Sequence, residues 1–174
     1  FPSIYAWRGI VYDRSKYPLV PEQVVDAEGR INGELEWQAH IQQPDGLINV
    51  NQPHGLDFRG THWERLKAGE PLAAYLATTV TCPDEQEVTL RFHTAGDVEF
   101  SVNGQAVTEI LARQEDWLPG LLRTARRTET IRLRPGQNTL VVHTRPPEGK
   151  RPRWYFGGAL TTPGGNLLTH LSFS

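Results

Sequence analysis

The chain has 174 residues and a mass of 19.6 kDa, the size of one domain rather than two. Hydrophobic residues make up 38% and charged ones 22%, with no run near the roughly 20 apolar residues that a membrane helix needs, so membrane insertion is not expected. The single cysteine, Cys82, excludes an intrachain disulfide and a thiolate metal cluster.

Thirteen prolines and sixteen glycines spread along the chain argue for many short elements joined by turns. Five Trp, five Tyr and six Phe supply enough apolar area for a core, which argues against disorder. The net charge of −2 is unevenly distributed: residues 1–109 carry eight Lys/Arg against sixteen Asp/Glu, and residues 110–174 carry ten against four. Such asymmetry can mark a site for an anionic ligand, although a sandwich draws both sheets from both halves of a sequence. The chain lacks methionine and begins at Phe1, which reads as a segment that follows a removed leader or was cut from a longer protein.

In chain order, residues 4–11, 34–40 and 46–50 read as strands of weak pattern, and 72–81 as a stronger strand ended by Pro83. Residues 87–94 alternate strictly, with Val88, Leu90 and Phe92 on one side and Thr89, Arg91 and His93 on the other. Residues 97–102 repeat the pattern with Val98, Phe100 and Val102 inward. Asn103-Gly104 then suits a type I′ turn, because both residues tolerate positive φ, and a return strand begins at 105–107. Residues 109–113 are helix-like and lead into a loop through Trp117 and Gly120. Residues 129–133 and 138–143 flank Arg134-Pro135-Gly136-Gln137, the pattern of a second hairpin. Residues 154–161 and 168–173 read as closing strands around Pro163-Gly164-Gly165. The expected inward set is Val88, Leu90, Phe92, Val98, Phe100, Val102, Ile131, Leu133, Leu140 and Val142. Short strands at this spacing, without repeat or linker, imply one all-β domain over residues 1–174.

Several of these pieces resemble a known family. Residues 73–81 resemble the strand that opens the core of galactose-binding-like jelly rolls, and Val98 to Val107, through Asn103-Gly104, resembles their hairpin. Leu133 to Val142 resembles the hairpin that follows, Trp154-Tyr155-Phe156 the aromatic strand near the end, and Glu36-Trp37 with 46–50 the N-terminal extension. The resemblance covers roughly residues 33–173. It implies a jelly-roll β-sandwich of two antiparallel sheets with little helix. It also implies a secreted, bacterial, non-catalytic carbohydrate-binding or accessory module of a larger protein. The partners so implied are a polysaccharide or oligosaccharide and neighbouring domains of a parent protein. Related domains often carry paired aspartates before the hairpin. Here Ala95-Gly96 stands there with Asp97 alone, so a structural calcium ion is not indicated.

Sugars bind by stacking on an aromatic ring while planar polar groups take the hydroxyl hydrogen bonds. Two basic, aromatic segments offer both. Trp117 lies near Arg126 and Arg127, and the stiff loop with Lys150, Arg151 and Arg153 runs into Trp154 and Tyr155. One of Trp154 and Tyr155 must face the core if they lie in a strand. Arginine pairs with carboxylates and sulfates, so this set would suit an acidic polysaccharide. The competing expectations are a structural accessory domain packing against a catalytic domain, and a glycoside-active enzyme. Glu34/Glu36 and Asp97/Glu99 would share strand faces, as paired carboxylates for acid–base work would. Neither a nucleophile elbow nor a phosphate loop is present, and His54, Asp57 and His62 match no compact zinc spacing. Nucleic-acid binding has no motif to support it.

Overall fold

The computed structural model describes residues 7–40, 48–50, 62–110, 125–147, 154–166, 168 and 170–174. Eleven strands and two short helices form in these segments: β1 (Trp7–Asp13), α1 (Pro21–Val24), β2 (Gln38–His40), β3 (Ile48–Asn49), α2 (Trp63–Lys67), β4 (Leu72–Cys82), β5 (Gln86–Ala95), β6 (Asp97–Val102), β7 (Gln105–Ile110), β8 (Ala125–Leu133), β9 (Gly136–Arg145), β10 (Tyr155–Thr161) and β11 (Ser172–Phe173). One antiparallel sheet has the order β2-β1-β4-β9-β6-β7, with β11 extending the β1 side of β4. The other has the order β3-β10-β5-β8. The chain is thus an all-β sandwich of two antiparallel sheets, as its alternation implies.

The side chains between the sheets are those the period-2 pattern selects. All ten expected inward residues are buried in one cluster, joined by Trp7, Ile48, Leu76, Trp154 and Phe156 among others. Phe92 from one sheet stacks on Phe100 from the other with ring centroids 5.8 Å apart, and Trp7 meets Phe156 edge-on at 5.2 Å. The Asn103-Gly104 turn joins β6 to β7 with φ of 51° and 78°, the positive pair that type I′ requires.

Two sequence expectations about pairing and element type need correction. Residues 129–133 and 138–143 do not pair as a hairpin: β8 bonds β5 in one sheet, while β9 bonds β4 and β6 in the other. Two alternating runs around Pro-Gly look the same whether the chain folds back beside itself or arches over the core. Here Ile131 and Leu133 enter the core from one side, and Leu140 and Val142 from the other. The Pro163-Gly164-Gly165 segment likewise carries the chain between sheets, from β10 to β11. Glu109 lies in β7, not in a helix, because it continues the ladder opposite Glu99; 111–113 lie outside the described residues.

The β8–β9 arch is held by Asn138, which is fully buried. Its Oδ1 accepts from the Arg134 N–H and from Asn103 Nδ2, each at 3.0 Å, and its Nδ2 donates to the Arg134 carbonyl at 2.9 Å. Asn103 Oδ1 in turn accepts the Thr139 N–H at 2.9 Å, so one polar pair ties the arch to the β6–β7 turn. Removing one partner from a satisfied buried network leaves the rest unpaired. Asn138→Ala should therefore cost about 2–4 kcal/mol, read as a lowered midpoint in urea denaturation.

The seven-stranded sheet is also covered on part of its outer face. Residues 14–37 leave β1, form α1 and return to β2. Val24, fully buried, packs with Tyr12, Ala73, Tyr75, Ala77 and Val141 into a second small cluster, flanked by Leu19, Val25, Ile31 and Trp37. Pro21 opens α1, and Gln23 Oε1 accepts the Val20 N–H at 3.1 Å. Trp37 Nε1 donates to the Asn32 carbonyl at 2.8 Å, clamping the returning segment.

Candidate functional site

Beside this covering segment, the outer face of the seven-stranded sheet opens into a groove of about 840 Å³. Its floor is a row of residues lying directly opposite one another on four strands. Tyr75 on β4 faces His143 on β9, His143 faces Glu99 on β6, and Glu99 faces Glu109 on β7. Directly opposed residues on one face of a sheet are close neighbours, so the row forms one continuous constellation. Glu22 and Asp26 of the covering segment line one side of the groove, and Gln105 of β7 also lines it. Val25, Ala106 and Val141 add apolar surface.

The wall around Asp26 is built with care. Its Oδ1 accepts the N–H groups of Glu28 and Arg30 at 3.0 and 2.8 Å, and its Oδ2 accepts Arg30 Nε at 2.8 Å. Hydrogen bonds from Arg30, the backbone one foremost, hold this carboxyl below the usual carboxylate range. Gly29, at φ 78°, backs the loop onto the Asn103 backbone and closes one end of the groove.

His143 is the chemical centre of the floor. Its ring stacks on Tyr75 at 4.3 Å, and the Tyr12 ring lies parallel to Tyr75 at 5.9 Å. His143 Nε2 is 2.8 Å from the Tyr12 hydroxyl, and Nδ1 is 3.3 Å from Glu99 Oε2. A carboxylate only accepts, so Nδ1 carries the ring proton; neutral Nε2 then accepts from the Tyr12 O–H. Burial lowers the His143 pKa; Glu99 opposes that shift, and the charges of Arg145 and Arg14 reinforce it. Burial also raises the Tyr12 and Tyr75 hydroxyls, which stay protonated.

The sign of the pH dependence follows. The unfolded chain takes up the His143 proton near the ordinary 6.5, before the folded one does. This contribution to stability is complete above that pH and is lost as the pH falls through the lower folded value. His143→Gln should flatten the acid limb of a urea-midpoint profile below about pH 6.5. A profile identical to that of the unsubstituted chain would refute the assignment.

Of the residues expected to bind ligand, Trp154, Tyr155, Arg126 and Arg127 fall among the described residues. Trp154 is fully buried, with Nε1 donating to Thr144 Oγ1 at 3.0 Å, and Tyr155 is buried beside Ala95. Neither offers a ring face, because β10 lies inside its sheet between β3 and β5, with both its faces covered. The structure thus seats Trp154 in the main core and Tyr155 on the opposite face. Arg127 lies on β8 and pairs with Glu129 at 2.5 Å, and Arg126 stands opposite His93 in the ladder. Trp117, Lys150, Arg151 and Arg153 lie outside the described residues, as do His54 and Asp57.

The carboxylate pairs also differ from expectation. Glu34 sits in a turn and Glu36 just ahead of β2, so no strand face joins them. Asp97 and Glu99 share the outer face of β6, but Asp97 is tied to Arg145 at 3.1 Å. Among the described residues, no group of three His, Cys, Asp or Glu could hold a metal ion, and no helix is long and apolar enough to cross a membrane. No sequence motif marks Tyr12, Tyr75, Glu109, Glu22 and Asp26 as site residues. One signal was available: the outer positions of β4 read Ala73, Tyr75 and Ala77, apolar where an exposed face would be polar.

No family model and no curated protein matches the chain. Among solved structures it is similar to a β-glucosidase from Kluyveromyces marxianus in complex with glucose, with 14% identity over 90% of this chain and a TM-score of 0.52. The chain spans only 15% of that enzyme. It is also similar to the A domain of epithelial adhesin 9 from Candida glabrata in complex with Galb1-3GlcNAc, with 9% identity over 97% of this chain and 88% of that one, TM-score 0.49. A family 35 carbohydrate-binding module from an environmental isolate matches 59% of this chain and 71% of its own at 11% identity, TM-score 0.40. At these identities the likeness is one of fold, and the match to the β-glucosidase structure agrees with the all-β sandwich expected from the alternation.

Proposed function

We propose that the chain is a non-catalytic carbohydrate-binding module whose ligand occupies the groove over Tyr75, His143, Glu99 and Glu109. The carrying observation is that row: two carboxylates opposed on β6 and β7, with Glu99 held by His143 against an aromatic stack. A carboxylate with two oxygens can accept from adjacent sugar hydroxyls, while Gln105 and Ser101 can both donate and accept. Val25 and Val141 can meet the apolar face of a ring. The groove is lined by four carboxylates and, among the described residues, by no Lys or Arg. A neutral oligosaccharide fits this lining better than an acidic one. A secreted setting on a longer protein agrees with such a role, and the similarity to 15% of a β-glucosidase supports a module of that kind.

The test is a glycan array with product analysis. Neutral oligosaccharides should be retained without turnover, and Glu99→Gln/Glu109→Gln should weaken retention by about tenfold or more, since hydrogen bonds to charged groups contribute about 1.5–3 kcal/mol each. Release of product would replace this reading with an enzymatic one. Uronate or sulfated glycans bound in a salt-sensitive way, and lost in Trp117→Ala or Arg126→Ala/Arg127→Ala, would place the site at the basic loops instead.

A second reading, an accessory domain that packs on a neighbour, is favoured by Tyr17 and Val20. They are 67% and 46% exposed and stand close in sequence where the covering segment leaves the sheet. Tyr17→Ser/Val20→Ser should leave glycan binding unchanged under the first reading, and only loss of association with the parent protein would support the second.

A further inference from the structure

We infer that His143 is a positioning residue that ties glycan binding in the groove to proton release: its neutral ring aims the Glu99 carboxylate at the ligand, and a second proton on the ring withdraws that carboxylate from it. The inference rests on the groove being the binding site and concerns how that site is regulated.

The geometry is a relay across three strands. Tyr12 on β1 donates to His143 Nε2 at 2.8 Å, and His143 Nδ1 donates to Glu99 Oε2 at 3.3 Å. Stacking on Tyr75 fixes the plane of the ring, so the carboxylate is oriented from behind while about half of the Glu99 side chain stays open to the groove. The charged and titratable groups around the ring are Tyr12 and Arg14 from the β1 side, Tyr75 from β4, Glu99 from β6 and Arg145 from its own strand. Glu109 lies one strand further along the row, and Glu22 stands on the groove wall.

Neutral His143 leaves Glu99 a full acceptor for sugar hydroxyls. A second proton turns the pair into an ion pair, concentrating the carboxylate's charge on the ring and taking acceptor strength away from the ligand. It also converts Nε2 into a donor, so the Tyr12 hydroxyl must turn its proton elsewhere. A ligand that engages Glu99 therefore prefers the neutral ring, and by linkage its uptake lowers the proton affinity of His143. Burial already biases the ring toward neutrality, which places the change below pH 6.5.

Two measurements test this. The first needs no glycan: NMR titration of the His143 ring in the intact chain and in Glu99→Gln. Removing the carboxylate should move the midpoint to lower pH, and an unmoved midpoint overturns the coupling. The second measures affinity, from pH 7.5 to 5, for whichever neutral oligosaccharide the array retains. Affinity should fall by roughly three- to tenfold for the unsubstituted chain, the range open to one linked proton. His143→Gln keeps an N–H donor but cannot ionise, so it should bind with a flat profile; His143→Phe should bind weakly at every pH. A retained glycan with pH-independent affinity overturns this inference and leaves the module reading standing. An array that retains nothing, beside a Glu99-dependent titration, overturns the module reading while the coupling survives.

Discussion

Phe100→Asp should abolish cooperative unfolding at 25 °C and give the circular dichroism of an unfolded chain. Phe100 is 1% exposed and stacks on Phe92 across the two sheets. It sits mid-strand, opposite Val142 on β9 and Thr108 on β7, so no rotamer carries a carboxylate to water. Truncating a buried Phe costs about 3–5 kcal/mol, and an unpaired buried charge adds several more. The sum is comparable to the roughly 5–15 kcal/mol that holds a whole domain together. Ser101→Asp is the matching control, because the next residue faces the groove and its substitution should change stability by no more than about 1 kcal/mol. If Phe100→Asp melts like the unsubstituted chain and Ser101→Asp unfolds, the strand faces are reversed, since a one-residue slip exchanges them.

Phe100 also marks what the sequence makes legible. A side chain between two sheets leaves a period-2 trace, and Val88 to Phe92 and Val98 to Val102 can be read without a structure. The pairing of whole strands is less legible. A Pro-Gly turn between two alternating runs is compatible with a hairpin or an arch, and at residues 134–137 the choice is made by contacts remote in sequence. There Asn138 bonds Arg134 locally and Asn103 from another turn.

The groove is the least legible part. Its floor is assembled from β4, β9, β6 and β7, so residues 75, 143, 99 and 109 become neighbours only through the ladder. In the sequence, His143 and Glu99 look like ordinary solvent-facing positions on separate strands. What changes their character is the covering segment of residues 14–37, whose α1 is too short to announce itself by period. Local aromatic and basic runs, by contrast, draw attention to loops, and Trp154 shows how such a run can end inside the core.

Trp154→Ala should lower the melting temperature by about 10 °C or more, whether or not a glycan is present, because Trp-to-Ala truncation in a core costs about 3–5 kcal/mol. The indole is the largest fully buried side chain among the described residues, set among Trp7, Phe156 and the other residues of the main cluster. Its removal leaves a cavity in a close-packed layer and takes away the N–H that donates to Thr144 Oγ1 at 3.0 Å. Trp154→Phe divides the two effects: most of the ring volume returns, the N–H does not, and the residual cost should be about 1–2 kcal/mol. A binding platform behaves in the opposite way, since removing an exposed ring weakens affinity and leaves the fold intact. Thermal melts of both variants, each with a glycan-binding measurement at a temperature where the protein stays folded, separate these cases. Unchanged melting with lost binding would return Trp154 to the ligand surface. Lowered melting with affinity retained in the folded fraction fixes it in the core and takes it off the ligand surface.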